Sequence, residues 1–115
     1  MQYNNDNIFA KIIRKELPAD IIYEDEKVLA FKDINPVAPV HILVVPKGQY
    51  IDFTDFISNA TKDEISYFFQ KVSDISKSLN LDNYRIISNK GSDSGQTVFH
   101  FHVHIISGKQ IRNLI

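Results

Sequence analysis

Cysteine is absent from these 115 residues, which removes disulfide bridging, thiolate zinc sites and a cysteine nucleophile together. A surplus of one charge is missing too. The 13 Lys and Arg offset the 14 Asp and Glu to a formal net charge of −1, with both signs interspersed. There is accordingly no basic stripe for nucleic acid and no polybasic patch for a membrane surface. No apolar run approaches the roughly 20 residues needed to cross a bilayer. Met1 to Asp6 are polar, with no basic stretch ahead of an apolar core, so no signal peptide is expected. Internal repeats and low-complexity tracts are also lacking. At this length there is room for one core but not two. The expectation is one soluble, cytoplasmic domain over residues 1–115.

The coarse organisation follows from periodicity and punctuation. Asn5 or Asp6 can cap a first helix carrying Ile8, Phe9, Ile12 and Ile13. It should stop near Leu17, because Pro18 disfavours the α region just before it. Two short strands are predicted at Ile21–Glu24 and Val28–Phe31, then a constrained loop from Asp33 to Pro39. His41 to Val45 reads as a buried strand ended by Pro46, and 47–60 as irregular, with at most a turn of helix. Thr61 with Glu64 forms a capping box ahead of a helix reaching Leu79. Its stripe is Ile65, Phe68, Phe69, Val72, Ile75 and Leu79, as expected of a core-packing helix. A fourth strand, Tyr84–Ser88, and a polar loop, 89–96, complete the approach to the last strand. With one long helix available as a crossover, the fold class is α+β with a mostly antiparallel sheet.

That last strand carries the chemistry. His100-Phe101-His102-Val103-His104 holds three of the four histidines at alternate positions. Side chains alternate between strand faces, so the imidazoles line one face and Phe99, Phe101, Val103 and Ile105 the other. Metal binding is one reading. Residues two apart on a strand lie about 6.6 Å apart, whereas two zinc ligands can hardly exceed ~4.2 Å. All three could therefore not share one ion without severe distortion, and no carboxylate stands at an obvious ligand spacing, so no metal is expected. A second reading is a satisfied polar face toward solvent. The third is catalysis: imidazole, with an ordinary pKa of ~6.5, is largely neutral at pH 7 and competent as a nucleophile toward phosphorus and as an acid–base group. The preceding loop can supply an anion site. Gly91 and Gly95 allow backbone amides to turn toward a phosphate, and Asn89, Ser92, Ser94, Gln96 and Thr97 offer donors. An ordinary hairpin connection is the alternative for this loop. His41, at a strand start, can be structural or join the row across the sheet.

His100-Phe101-His102-Val103-His104-Ile105-Ile106 resembles the motif of the histidine triad (HIT) family. Ile8 to Ile13, Ala30 to Pro36, Ala38 to His41, Asn89 to Ser92 and Gly95 to Val98 resemble its Hint branch, in the right order along nearly the whole chain. The resemblance implies a five-stranded antiparallel sheet with two helices, joined into a ten-stranded sheet across a homodimer. It implies a purine nucleoside phosphoramidate hydrolase that releases a nucleoside monophosphate from adenosine 5′-phosphoramidates or acyl-adenylates through a nucleotidyl-histidine intermediate. No cofactor, nucleic acid or membrane is implied. His102 falls on the nucleophile, His100 and His104 on residues that orient it and bind phosphate, and His41 on a member of the proton network. Asn89, Gln96 and Thr97 match phosphate and leaving-group positions, and Asp33 the carboxylate that holds the ribose hydroxyls. Ile8, Phe9, Ile12, Phe31 and Ile34 match the apolar slot for the base, although the chain alone would place the helix-one residues in the core. Loop donors and protonated histidines are expected to stabilise the phosphoryl charge.

The chain departs from the pattern at Lys32, where a histidine is common, and at Thr97, where serine is more usual. Residues 111–115 lack the tryptophan some members carry, which bears on leaving-group specificity. Two rival functions remain open. One is cleavage of dinucleoside polyphosphates or nucleotidyl transfer, and the other is a nucleotide-binding interaction module with incidental catalysis.

Overall fold

The computed structural model describes residues 1–108, and the tail reading at residues 111–115 lies outside them. Five strands, β1 (Ile21–Glu24), β2 (Val28–Lys32), β3 (Val40–Pro46), β4 (Arg85–Ile87) and β5 (Val103–Ser107), form one sheet in the order β1-β2-β3-β5-β4. Every neighbouring pair is antiparallel. Among the described residues three α-helices accompany it: α1 (Ile8–Ile13), α2 (Phe53–Asn59) and α3 (Lys62–Ser78). No helix among the described residues is long and apolar enough to cross a membrane.

Local chemistry explains where these elements begin and end, including where they differ from expectation. Asn7, rather than Asn5 or Asp6, caps α1 by accepting from the N–H of Ala10 at 2.9 Å. The helix stops at Ile13, well short of Leu17. Lys15 is left-handed (φ 65°), and the N–H groups of Lys15 and Glu16 fold back on the carbonyls of Ile12 and Lys11. That pattern closes a helix before Pro18 can act. In the segment expected to be irregular, Asp52 caps α2 through the N–H of Asp55 at 2.8 Å. For α3 the capping box of Thr61 and Glu64 is present in both directions.

The sheet separates two apolar layers. On one face Val28, Ala30, Ile42, Val44, Val103 and Ile105 pack with Phe101, Phe56 of α2, and Phe68, Val72 and Ile75 of α3. On the other face Leu29, Phe31, Leu43 and Val45 pack with Phe9 of α1. The register places His104 opposite Leu43, and Val103 and Ile105 opposite Val44 and Ile42. The histidine face is therefore the α1 face, and the alternating apolar residues feed the larger core.

Where the sequence suggested one continuous histidine strand, the ladder begins only at Val103. Residues 100–102 are held by other means. The N–H of Phe101 donates to the carbonyl of Tyr50 at 2.7 Å, and Ser88 Oγ donates to the carbonyl of His102 at 3.0 Å. Phe101 (1% exposed) stacks on Phe56 with centroids 4.8 Å apart. Truncation of such a ring leaves a cavity and costs about 3–5 kcal/mol. Phe101→Ala should lower the urea-unfolding free energy at pH 7 by that amount, and a loss below ~1 kcal/mol would show that this ring does not anchor the segment.

Candidate active site

The hydrogen bonds of the four histidines assign their protons, because a carbonyl can only accept and a backbone N–H can only donate. His102 Nδ1 lies 2.7 Å from the carbonyl oxygen of His100, so Nδ1 carries the proton and Nε2 keeps a free lone pair. His100 Nε2 lies 2.7 Å from the carbonyl of Pro46 and is its protonated nitrogen; Nδ1 then accepts from the Tyr3 hydroxyl at 2.6 Å. His41 Nδ1 accepts from the N–H of Val37 at 3.1 Å, so its Nε2 is the donor. That donor faces His104 Nδ1 at 2.9 Å and Asp33 Oδ2 at 3.3 Å. Neutral His104, accepting at Nδ1, then carries its proton on Nε2.

Packing holds these rings in place. Phe9 meets His102 edge to face, with centroids 4.8 Å apart, and His104 lies 5.2 Å from both His102 and His41. His100, His102 and His41 are buried and His104 is half-buried. Burial favours the uncharged ring. It pushes His100 down to about 4, with the nearby His102 adding to the effect. It pushes His104 down to about 4 as well, helped by His102 and His41 and opposed by Asp33. His102 is lowered by the same burial. The expected protonated histidines are thus corrected: at pH 7 these three rings are neutral and offer N–H dipoles rather than full positive charge.

No carboxylate stands at an obvious ligand spacing along the chain, but the fold brings one to the histidines. The β2–β3 loop brings Asp33 to His41 and His104, and one ligand atom from each lies within 4.8 Å of the others. The His41–His104 contact is a hydrogen bond, and Asp33 Oδ2 stands 3.3 Å from the same His41 nitrogen. Two imidazoles and a carboxylate are also a zinc donor set, but the 4.8 Å spread exceeds the ~4.2 Å limit for two ligands of one ion, so the trio would have to close to hold it.

The remaining candidates divide. Asp33 has a second role in its loop, where Oδ1 accepts from the N–H of Asn35. Gln96 is buried and fully engaged: Oε1 accepts from the N–H of Gly91, and Nε2 donates to the carbonyls of Ile51 and Val98. It braces the loop. Asn89 Nδ2 donates to the carbonyl of Ser94 across the same loop at 2.8 Å. Gly91 and Gly95 both have positive φ, which closes the turn, and their N–H groups donate within the loop to Gln96 Oε1 and the carbonyl of Ser92. Thr97 is exposed and lines a groove of about 580 Å³ with Met1, Gln2, Ile8 and Phe99. The five apolar residues matched to a base slot differ widely in burial. Phe9 and Phe31 are core, Ile12 is half-buried beside them, Ile8 borders the Thr97 groove, and Ile34 is 90% exposed. Tyr3, Pro46 and Ser88 went unnoticed in the sequence. Tyr3 and Pro46 reach the triad across 97 and 54 residues, with no local pattern to signal them.

An α+β domain with an antiparallel sheet, a neutral histidine row on one face and a donor-rich loop beside it defines a class of site suited to phosphoryl chemistry. The comparisons give the family. The HIT domain model matches residues 14–111. An uncharacterized HIT-like protein of Rickettsia prowazekii is 63% identical over 115 residues, covering 98% of this chain and 96% of its own. A histidine triad protein from Clostridium difficile superposes with a TM-score of 0.87 at 44% identity, over 100% of both chains. A HIT family hydrolase from Clostridium thermocellum superposes with a TM-score of 0.84 at 36% identity, over 97% of this chain and 98% of its own. The chain belongs to the HIT family.

The lowered imidazoles tie stability to pH. His100 and His104 titrate near 4 when folded and near 6.5 when unfolded. The unfolded chain therefore binds more protons between those values, and stability falls as pH drops through that window. Urea midpoints measured from pH 7 to pH 4 should decline most steeply below about 6.5. A flat profile from pH 6.5 to 4.5 would contradict the burial of these rings.

Proposed function

We propose that this protein hydrolyses purine nucleoside phosphoramidates, and acyl-adenylates of the same geometry, at the α-phosphate. The observation that carries the reading is the tautomer of His102. Its Nδ1 proton is held by the His100 carbonyl, which leaves Nε2 as an uncharged nucleophile in a buried site. Lowering by burial keeps that nitrogen free of a proton at pH 7.

The reaction has two steps. His102 Nε2 forms a bond to the α-phosphorus as the P–N bond breaks, and the departing nitrogen takes a proton that enters from solvent and is relayed through the neighbouring histidines and the Thr97 hydroxyl. The nucleotidyl-imidazole carries positive charge, and its Nδ1–H stays on the His100 carbonyl, which strengthens as an acceptor for a cationic donor. Water then attacks phosphorus and gives its proton back through the same relay to solvent, the P–Nε2 bond breaks, and the nucleoside monophosphate leaves with His102 neutral again. The N–H groups of Gly91, Ser94, Gly95 and Gln96 bond within their own loop, so its hydroxyls are the donors offered to the phosphoryl oxygens, while Asp33, His41 and His104 pass protons to and from the site. Asp33 is partly open to solvent and can accept from a ribose hydroxyl.

The resemblance of the whole chain to HIT proteins and the Clostridium thermocellum structure described as a hydrolase support this reading. Adenosine 5′-phosphoramidate incubated with the protein should give adenosine monophosphate, and a base quench should trap the nucleotide on His102. His102→Ala should lower turnover by roughly 10³-fold or more, the scale seen when a covalent nucleophile is removed. Full turnover by this variant would sink the mechanism, and faster cleavage of diadenosine polyphosphate would move the chain to another branch.

The working form is a homodimer in which β4 pairs with its counterpart into a ten-stranded sheet. β4 lies at a sheet edge, and Tyr84 and Ile86 there are 41% and 45% exposed. Exposed apolar side chains on an edge strand favour partner strands. Ile86→Lys should convert a dimer to a monomer in light scattering, whereas a monomeric parent protein would refute the pairing.

A further inference from the structure

We propose that Tyr3 is a positioning residue for the histidine row: its hydroxyl locks the His100 ring, and the locked residue in turn presents its carbonyl to His102. This rests on the reading of His102 as nucleophile and extends it to the N-terminal segment.

The argument starts from the break in the sheet. Because β5 begins at Val103, His100 has no ladder to hold its backbone. Its ring is wholly buried and is tied at both nitrogens, to Pro46 by Nε2–H and to Tyr3 by Nδ1. The Tyr3 ring also meets the imidazole edge-on, with centroids 5.6 Å apart. Without the hydroxyl, Nδ1 of a buried imidazole would lack its donor, and the ring could rotate or exchange tautomer. Either change moves the carbonyl on which His102 depends.

Tyr3 is itself held in place. Asn4 Oδ1 accepts from the N–H of Asp6 at 2.9 Å, the Asn7 side chain donates to the carbonyl of Asn4 at 2.8 Å, and Arg14 donates to the carbonyl of Asn5 at 2.7 Å. The segment ahead of α1 is thus a strap, anchored on the helix at one end and on the histidine row at the other. The titratable groups facing His100 are the Tyr3 hydroxyl and His102. A hydroxyl that donates to Nδ1 opposes protonation there, so the strap also helps keep the row neutral.

The test compares the full-length protein with Tyr3→Phe, which keeps the ring and removes the hydroxyl. With adenosine 5′-phosphoramidate, kcat should fall about tenfold, the rate equivalent of one hydrogen bond, with KM changed less than twofold. The acid limb of the kcat profile should move to higher pH, because His100 takes a proton more readily. Histidine nitrogen-15 spectra should show His100 Nδ1 as an acceptor and Nε2 as protonated in the parent protein, with this signature lost in the variant. Unchanged kcat, pH profile and spectrum in folded Tyr3→Phe would overturn the proposal. If the variant does not fold, the parent spectrum decides, since the opposite tautomer of His100 also overturns it. A parent protein that hydrolyses no phosphoramidate would defeat the proposed function, while the two spectra would still decide the role of Tyr3.

Discussion

The hydrogen bond from His102 Nδ1 to the His100 carbonyl, 2.7 Å long, is the constraint on which the site depends. It assigns the ring proton to Nδ1 and so leaves the Nε2 lone pair free. It is possible only because residues 100–102 leave the ladder before β5 begins, which frees that carbonyl for a side chain of its own segment. Leaving a ladder inside a protein is costly when polar groups lose partners. Here Tyr50, Ser88, Pro46 and Tyr3 supply partners. Among the described residues no buried side-chain nitrogen or oxygen is left without a hydrogen bond.

The two faces of the sheet divide the labour. The α2–α3 face buries Phe56, Phe68 and Phe101 together and supplies rigidity. The α1 face buries the imidazoles beside Phe9 and supplies reactivity. Desolvation acts on both properties through the same rings. It disfavours imidazolium, which keeps the row uncharged at neutral pH and makes the folded state vulnerable in acid. Asp33 moderates this, since its charge opposes the lowering at both His102 and His104.

Much of the architecture was legible because it rests on local rules. The capping box of Thr61 and Glu64 involves residues three apart, and its reciprocal bonds formed as expected. Strands β1 to β3 follow short apolar runs bounded by turns and lie within a residue of their expected limits. Less legible were elements in which two local signals compete. The left-handed Lys15 ended α1 before Pro18 could, and Asp52 capped a helix within a stretch that has only a weak apolar pattern. Gln96 illustrates a further limit. Its place in a donor-rich loop suggested a ligand contact, but the fold buries its amide against three backbone groups, including Ile51 from 45 residues away.

The sequence by itself determined that His100, His102 and His104 share one face with an apolar layer behind them, because alternation in an extended chain is a property of adjacent residues. It also determined the family, since the motifs recur in order along most of the chain. Only the tertiary structure decided which nitrogen of each ring holds a proton, that the row is neutral, and that Asp33 and His41 complete it. Those properties depend on donors and acceptors brought from 54, 63 and 97 residues away and on exclusion of water. Neither is encoded in the spacing of neighbours.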